Sequence, residues 1–495
     1  MPEKCPEIVP ALSPLRFVYP FPDESTVKVN GILNGRAGES PRDGNPGDFS
    51  SISVFINQQG VFMRKLTTVL TLLLTLTVSM VWAQDKCPCS NCPLAALGEK
   101  PEFQPLFGVA LENADFPEGS WTMTAEGELQ PSLDREIWTK EKYGSFICSF
   151  EFKLSKDANS GFLFQCHDKG NWIPNTIEIQ LHDDYGQEPN YHSCGAIYGF
   201  QAPSKNMVKP AGEWNEMTVI CFGREITVIL NGEVINRMNT AEWVDNAKGP
   251  NGTDIEEKFH GHSLASVEPY GYIGFQGVHG NSPVAFRNAR IIPIRVNPDT
   301  SDWTYLFGEK LENAEFDPDV WSIDAEGVLH ATRDEVIWSK EKYGDCVIDL
   351  EVMNSKDSNS GVVIQCSDKA NWIPNAFEIQ VYDSFEHNPV DMSSFGAVYG
   401  RCGPVINMTK APGEWNRMTV ITLGKMIYVA INGEIVTIMD KSLWTQADKN
   451  PDGTDVFSWL INKAPAETAN EGYVGLQGLH QGVPVVYRNV KIKSL

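Results

Sequence analysis

The sequence predicts an all-β protein built from one antiparallel sandwich or jelly-roll domain written twice. Three observations carry this expectation. Short runs rich in Ile, Val, Phe and Thr, such as "SFICSFEFKL", "SGFLFQCHD" and "NEMTVICFG", are punctuated by Gly, Asn and Pro, which is strand and turn chemistry. No long stretch shows helical periodicity, and "TAEWVDNA" has room for a turn or two at most. The second half also repeats the first: "IWTKEKYG" at 137–144 returns as "IWSKEKYG" at 337–344, and "GEWNEMTVI" at 212–220 as "GEWNRMTVI" at 413–421. The offset is 200 up to Pro189/Pro389 and 201 from Gly195/Gly396 onward. That period is too long for a solenoid and marks duplication of a whole domain.

The copies are expected at 104–295 and 302–495, joined by a short Pro-containing linker at 296–301. Within each, Asn231-Gly232 and Asn432-Gly433 stand between apolar runs. Asn-Gly is the strongest short hairpin signal, because both central residues of a type I′ turn need positive φ. Upstream, residues 63–83 have Arg64 and Lys65, an apolar run and then Val81-Trp82-Ala83. This is the anatomy of a signal peptide and predicts an exported protein, whether periplasmic, cell-surface or extracellular. Its apolar run is shorter than the roughly 20 residues of a stable span. Residues 1–62, rich in Pro, Gly, Ser and Asp, read as a disordered, mis-called N-terminal extension, with an internal membrane anchor as the competing account. Residues 84–103 form a Cys/Pro-rich linker, whose Cys87, Cys89 and Cys92 suit disulfides or a tether better than a metal site. The formal net charge of −24 argues against nucleic acid and anionic membrane as partners. An acidic chain with 13 Trp suits neutral polar ligands such as sugars.

The segments "NWIPNTIEIQLHD" (171–183) and "NWIPNAFEIQVYD" (371–383) vary mainly at apolar positions and keep Glu178/Glu378, Gln180/Gln380 and Asp183/Asp383. On a strand, Ile177, Ile179 and Leu181 point one way and Glu178, Gln180 and His182 the other. Two readings follow: a half-buried strand with a solvated face, or a groove floor that handles a polar ligand.

The ordered set "NSG", "EIQ..D", "GAIYG", "KPAGEWN", "LNG" and "GYIGFQGVHG…FRNARI" resembles the 3-keto-disaccharide hydrolase domain, and both copies carry it. The resemblance implies two tandem concanavalin/laminin-G-like jelly rolls and an exported carbohydrate-active protein. It further implies activity on glycosides whose sugar is oxidised to a ketone at C3, with net hydrolysis and a lyase-like elimination both open. Fold alone would not license that activity. A C3 ketone acidifies the C2 proton and leaves the C1 oxygen β to the resulting carbanion. Such chemistry wants a tuned carboxylate or His together with fixed donors.

Glu178 and Glu378 match the family motif and are the acid/base candidates. His279 and His480 occupy the one position that holds His in both copies, in a Gly-flanked loop suited to proton transfer, or to a satisfied structural role. Asp183 and Asp383 end the strand as further catalytic candidates or as turn formers. Gln180, Gln380, Gln276 and Gln477 are candidate substrate contacts. Trp172 and Trp372 could stack on a sugar face or fill a core. Arg287 and Arg488, flanked by apolar strand neighbours, read first as a structural ion pair and second as a substrate clamp. No cofactor is identifiable. A structural Ca²⁺ stays compatible with the sequence, because scattered Asp, Asn and backbone oxygens leave little trace. The competing function, from another class, is a non-catalytic tandem carbohydrate-binding protein that gains avidity from two linked sites.

Overall fold

Each repeat folds into two antiparallel sheets laid face to face, because alternating strands bury one face each. The computed structural model describes residues 101–261 and 263–495. The segments expected as extension, signal peptide and Cys-rich linker up to residue 100 lie outside the described residues. In the first repeat the larger sheet has eight strands. Its main order is Glu233–Asn239, Glu225–Leu230, Trp214–Phe222, Phe146–Leu154, Val284–Pro293, Glu128–Pro131 and Trp121–Met123. The eighth strand, Gln104–Pro105, pairs with Val284–Pro293. The smaller sheet orders Ala114–Asp115, Ile137–Tyr143, Gly271–Phe275, Asn159–Cys166 and Ile177–His182. The second repeat has the same order, from Thr304–Tyr305 through Val485–Ser494. The protein is therefore all-β, with two tandem jelly-roll sandwiches.

The two cores solve the same packing problem with different residues. In the first, Phe150, Phe162, Phe275 and Phe286 fill the space between the sheets, with Phe275 and Phe286 stacked at 4.2 Å. In the second, the matching positions hold Leu350, Val362, Leu476 and Tyr487, all buried. Tyr487 keeps its hydroxyl satisfied by Ser360 Oγ at 2.6 Å, as a buried phenol must.

The Asn-Gly turns close their hairpins with φ of 52° at Asn231 and 84° at Gly232. The Asn231 side chain also donates to the Met207 carbonyl and accepts from the Glu216 amide. A bulge explains Arg287 and Arg488. Asn288 and Asn489 both have φ of 52°, and the strand register shifts across them. One inserted residue reverses the side-chain alternation, so Val490 and Ile492 face the core while Arg488 faces out.

The repeats share a third apolar cluster at their junction. Ile147, Ile292, Ile294 and Val296 from the first meet Val347, Ile421, Tyr428 and Ala430 from the second. Arg295 Nε donates to the nearly buried Glu434 carboxylate at 2.7 Å, and the Val296 amide bonds the Gly433 carbonyl at 2.8 Å. Burial raises the Glu434 carboxyl while Arg295 pulls it back. Ile421 is 1% exposed, so Ile421→Ala is expected to destabilise the protein by about 2–4 kcal/mol in urea unfolding. A loss under about 0.5 kcal/mol, the size of an ordinary surface substitution, would mean that the junction adds nothing to stability.

Candidate functional site

The strand Ile177–His182 places its apolar side chains in the core and its polar ones on the outer face of the smaller sheet. That face is the floor of a cleft of about 320 Å³. One wall comes from Trp172 and Ile173, in a pair of short 3₁₀ turns of which the Asp168 side chain caps the first. The opposite wall comes from Tyr198, Lys258 and Phe259. Tyr198 is fixed because residues 195–198 pair along the free edge of the floor strand: Gly195 N reaches Gln180 O at 2.8 Å and Tyr198 N reaches Glu178 O at 2.9 Å. Covering that edge also removes an unpaired strand from solvent.

Glu178 stands in the middle of this floor. Leu163, fully buried, lies across the ladder from it, and Gly161 beneath it leaves room for the carboxyl. A Cβ at residue 161 would come within 2.2 Å of Glu178 Oε1, and one at Gly361 within 2.3 Å of Glu378 Oε1. Burial pushes the Glu178 carboxyl from 4.5 up to about 8, against a smaller opposing pull from Lys258. Burial does the same to Glu378, to about 8, and the negative charge of Asp334 adds to it. With its amide nitrogen turned toward the acid, Gln180 donates to Glu178 Oε1 at 3.1 Å and to the Ser160 carbonyl at 3.2 Å. That is the contact of a neutral donor rather than a compensating cation.

His279 projects from the loop after the strand Gly271–Phe275. Its Nδ1 meets Asp134 Oδ2 at 3.0 Å, and His480 Nδ1 meets Asp334 Oδ2 at 2.7 Å. A carboxylate at Nδ1 holds a proton on that nitrogen and leaves Nε2 free to exchange one with a ligand. The loop reaches Asp134 because Val278 N bonds the Leu133 carbonyl, at an approach so close that a Cβ on Gly277 would lie 2.2 Å from that oxygen. Gln276 completes the floor, its carbonyl held by Ser160 Oγ at 2.7 Å. Trp172 stands half-buried against Trp138, ring centroids 6.4 Å apart, and so offers one face to the cleft.

Glu178, Gln180, His279, Gln276 and Trp172 therefore meet in one cleft of the first repeat. The other expected residues do not. Asp183 accepts from the Asp157 amide at 2.9 Å, and Asp383 does the same for Asp357. Each pins a residue with φ near 60° and forms a turn at the strand end. Arg287 and Arg488 lie on the larger sheet, away from the cleft. Arg287 donates from Nε and Nη2 to Glu151 at 2.9 and 2.6 Å and stacks over Trp214 at 4.1 Å. Arg488 repeats this with Glu351 and Trp415. The ion-pair reading describes them, and the bulge at Asn288/Asn489 is why they point outward. A wider groove of about 490 Å³ surrounds Arg287, Glu151 and Glu216, but neither Glu178 nor His279 lines it. Sequence reasoning missed Asp134/Asp334 and Tyr198/Tyr399. The repeat held the signal: Asp134 recurs as Asp334 while its neighbours change from Leu133 and Arg135 to Arg333 and Glu335. Among the described residues, no group of three His, Cys, Asp or Glu side chains converges as for a metal ion, and no helix is long and apolar enough to cross a membrane.

The raised carboxyls act on stability in a definite direction. Between about pH 4.5 and 8 the folded chain holds protons on Glu178 and Glu378 that the unfolded chain has released. Folding therefore loses stability as pH rises through that window, and the loss is complete above it. Glu178→Gln or Glu378→Gln is expected to stabilise the fold on the order of 2 kcal/mol at pH 8 and to change little at pH 4. Urea unfolding at the two pH values checks this, and equal effects at both would count against the buried carboxyls.

A family model described as the 3-keto-alpha-glucoside-1,2-lyase-like domain matches residues 102–292 and again 302–493. No curated protein matches the chain. Among solved structures, a Parabacteroides distasonis protein provisionally assigned as a glycosyl hydrolase is 45% identical, over 39% of this chain and 100% of its own, with a TM-score of 0.38. A carbohydrate-binding module from Bacillus subtilis is 15% identical over 39% of this chain and 98% of its own, TM-score 0.24. A Bacillus licheniformis β-glucanase is 13% identical over 39% and 97%, TM-score 0.25.

Proposed function

The chain belongs to this 3-keto-alpha-glucoside-1,2-lyase-like family, in two consecutive copies, and on that premise we propose that each cleft breaks the glycosidic bond of a glycoside oxidised at C3. The observation that carries the proposal is a carboxyl raised to about 8 in one cleft with a carboxylate-held imidazole. A buried carboxyl facing a ligand space and an imidazole held by a carboxylate beside it supply a base and an acid within reach of one substrate.

In this reading the ketone acidifies the proton on C2. Ionised Glu178 takes that proton, and the electron pair moves onto the C3 oxygen as an enolate. The Gln180 and Gln276 amides supply fixed donors on the floor, and Trp172 carries the sugar face. As the enolate collapses, the bond from C1 to its oxygen breaks, and protonated His279 gives its Nε2 proton to the departing group. Asp134 stabilises the imidazolium that must exist beforehand. The product is an enone with a C1–C2 double bond. Water adding across that bond, its proton to C2 and hydroxide to C1, gives net hydrolysis. Glu378, His480, Asp334, Gln380, Gln477 and Trp372 have the same parts in the second copy.

A base with a pKa near 8 is ionised in only a minor fraction at pH 7, and the fraction grows with pH. The proposal therefore expects kcat/KM to climb as the two glutamates ionise toward about pH 8 and to fall again at higher pH as the imidazolium that protonates the leaving group is lost, a bell-shaped profile. The double replacement Glu178→Gln/Glu378→Gln should lower turnover of a 3-keto-disaccharide by roughly 10²–10⁴ with an unchanged circular dichroism spectrum. Deuterium at C2 should slow single turnovers, whereas direct displacement at C1 would leave them unaffected. Wild-type protein that binds sugars and cleaves neither the keto nor the parent disaccharide would make this a tandem binding protein instead. Export belongs to the same proposal: in a Gram-negative host the mature N-terminus should lie near Gln84, and protein recovered with residues 63–83 intact would contradict it.

A further inference from the structure

The floor residues of the first cleft recur in the second repeat with the same contacts, but the residues of one wall do not. In the first repeat that wall sets an ion cluster beside the Tyr198 and Phe259 rings. Lys258 Nζ lies 2.8 Å from Glu256 and donates to the Tyr198 hydroxyl at 3.1 Å, and His192 closes the cluster on the other Glu256 oxygen. With the offset of 201, Glu256, Lys258 and His192 become Phe457, Trp459 and Ser393. The wall is now aromatic. Phe457 and Trp459 stack at 5.0 Å with 21° between planes, and Phe457 lies 5.5 Å from Tyr399.

Position ties this wall to the reacting group. Tyr399 N bonds the Glu378 carbonyl at 2.9 Å, as Tyr198 N bonds that of Glu178, and Tyr399 packs on Phe457, which Trp459 stacks against. Trp459 is nevertheless 54% exposed, and Ile373 and Ile461 are exposed at 43% and 41%. Asn462 Nδ2, bonded to Asn375 Oδ1 at 2.6 Å, draws the segment bearing Trp459 and Ile461 against the turn bearing Ile373. Three apolar side chains in water beside one cleft mark a surface for an apolar group. An indole stacked on a second ring at its back keeps one face for a planar partner.

We infer that the two clefts sort substrates by the group attached to the reacting sugar. The second takes a planar apolar group, such as an aromatic aglycone, against Trp459. The first takes a hydrophilic group, a further sugar unit, whose hydroxyls bond the Lys258–Glu256 pair. This rests on the proposed glycoside reading and assigns its specificity residues. Trp459 is a specificity residue outside the proton-transfer machinery.

The experiment uses the full chain with one copy silenced at a time. Glu178→Gln leaves the second cleft working and Glu378→Gln the first. Each variant is given an aryl 3-keto-glucoside and a 3-keto-disaccharide. The ratio of kcat/KM for aryl over disaccharide should be at least tenfold higher in the Glu178→Gln variant. Adding Trp459→Ala there should raise KM for the aryl substrate about tenfold with kcat little changed. Trp459→Lys, which installs the first copy's residue, should shift the preference toward the disaccharide. Equal ratios in the two single variants, or an aryl KM indifferent to Trp459→Ala, would overturn the inference. Calorimetry on the Glu178→Gln/Glu378→Gln double variant with the unoxidised aryl glucoside separates sorting from catalysis. One binding site lost on Trp459→Ala supports the sorting even where no variant turns over substrate. Two sites unaffected by Trp459→Ala overturn it.

Discussion

A carboxyl group held on an apolar strand, with no cation bonded to it, is the constraint around which both clefts are arranged. Removing an ionised carboxylate from water costs several kcal/mol unless a cation or several donors replace the lost hydration. Glu178 and Glu378 have instead Leu163 or Val363 across the ladder and a glycine beneath, so they favour the proton over the charge. The two glycines, the edge-covering segments at 195–198 and 396–399 and the tight loop at Gly277 or Gly478 all serve that placement. The fold could relieve the penalty with one lysine or arginine. Arg287 and Arg488 lie on the other sheet, with Glu151 and Glu351 for partners.

Conservation of the floor within a changing framework separates site from scaffold. The cores exchange phenylalanines for aliphatic residues and a tyrosine, and one cleft wall exchanges an ion cluster for stacked rings. Through these exchanges the His and Asp of the floor keep their pairing, with His279–Asp134 and His480–Asp334 within 0.3 Å of each other (3.0 against 2.7 Å). Packing needs volume and apolarity, which many residues supply. Proton transfer needs particular groups in particular places.

The sheet architecture was legible in the sequence because alternation, Asn-Gly turns and the repeat all report local geometry. The polar face of Ile177–His182 followed from period two alone, and Glu178 and Gln180 with it. For Arg287 and Arg488 the ion pair was legible but the facing was not: a single bulged Asn reverses which side chains face the core, and nothing in "FRNARI" announces it. Asp183 and Asp383 lie one residue past the strand, where the chain turns and the side chain caps a neighbour's amide instead of entering the cleft. Asp134 was hidden by distance, since its partner His279 is 145 positions away and only folding joins them. The divergence of the Lys258 and Trp459 walls was written in the repeat, yet it acquires meaning only once Tyr198 and Tyr399 connect each wall to its glutamate.

Burial that raises Glu178 to about 8 leaves it mostly a neutral acid at pH 7. Carbon-13 NMR of side-chain carboxyls, recorded from pH 4 to 10 on the Glu378→Gln protein and compared with the Glu178→Gln/Glu378→Gln double variant, reads that group directly. A resonance present only in the first protein and moving with a midpoint near 8 is the predicted result. A Glu178 signal that titrates between pH 4 and 5, as an exposed glutamate does, would contradict the account.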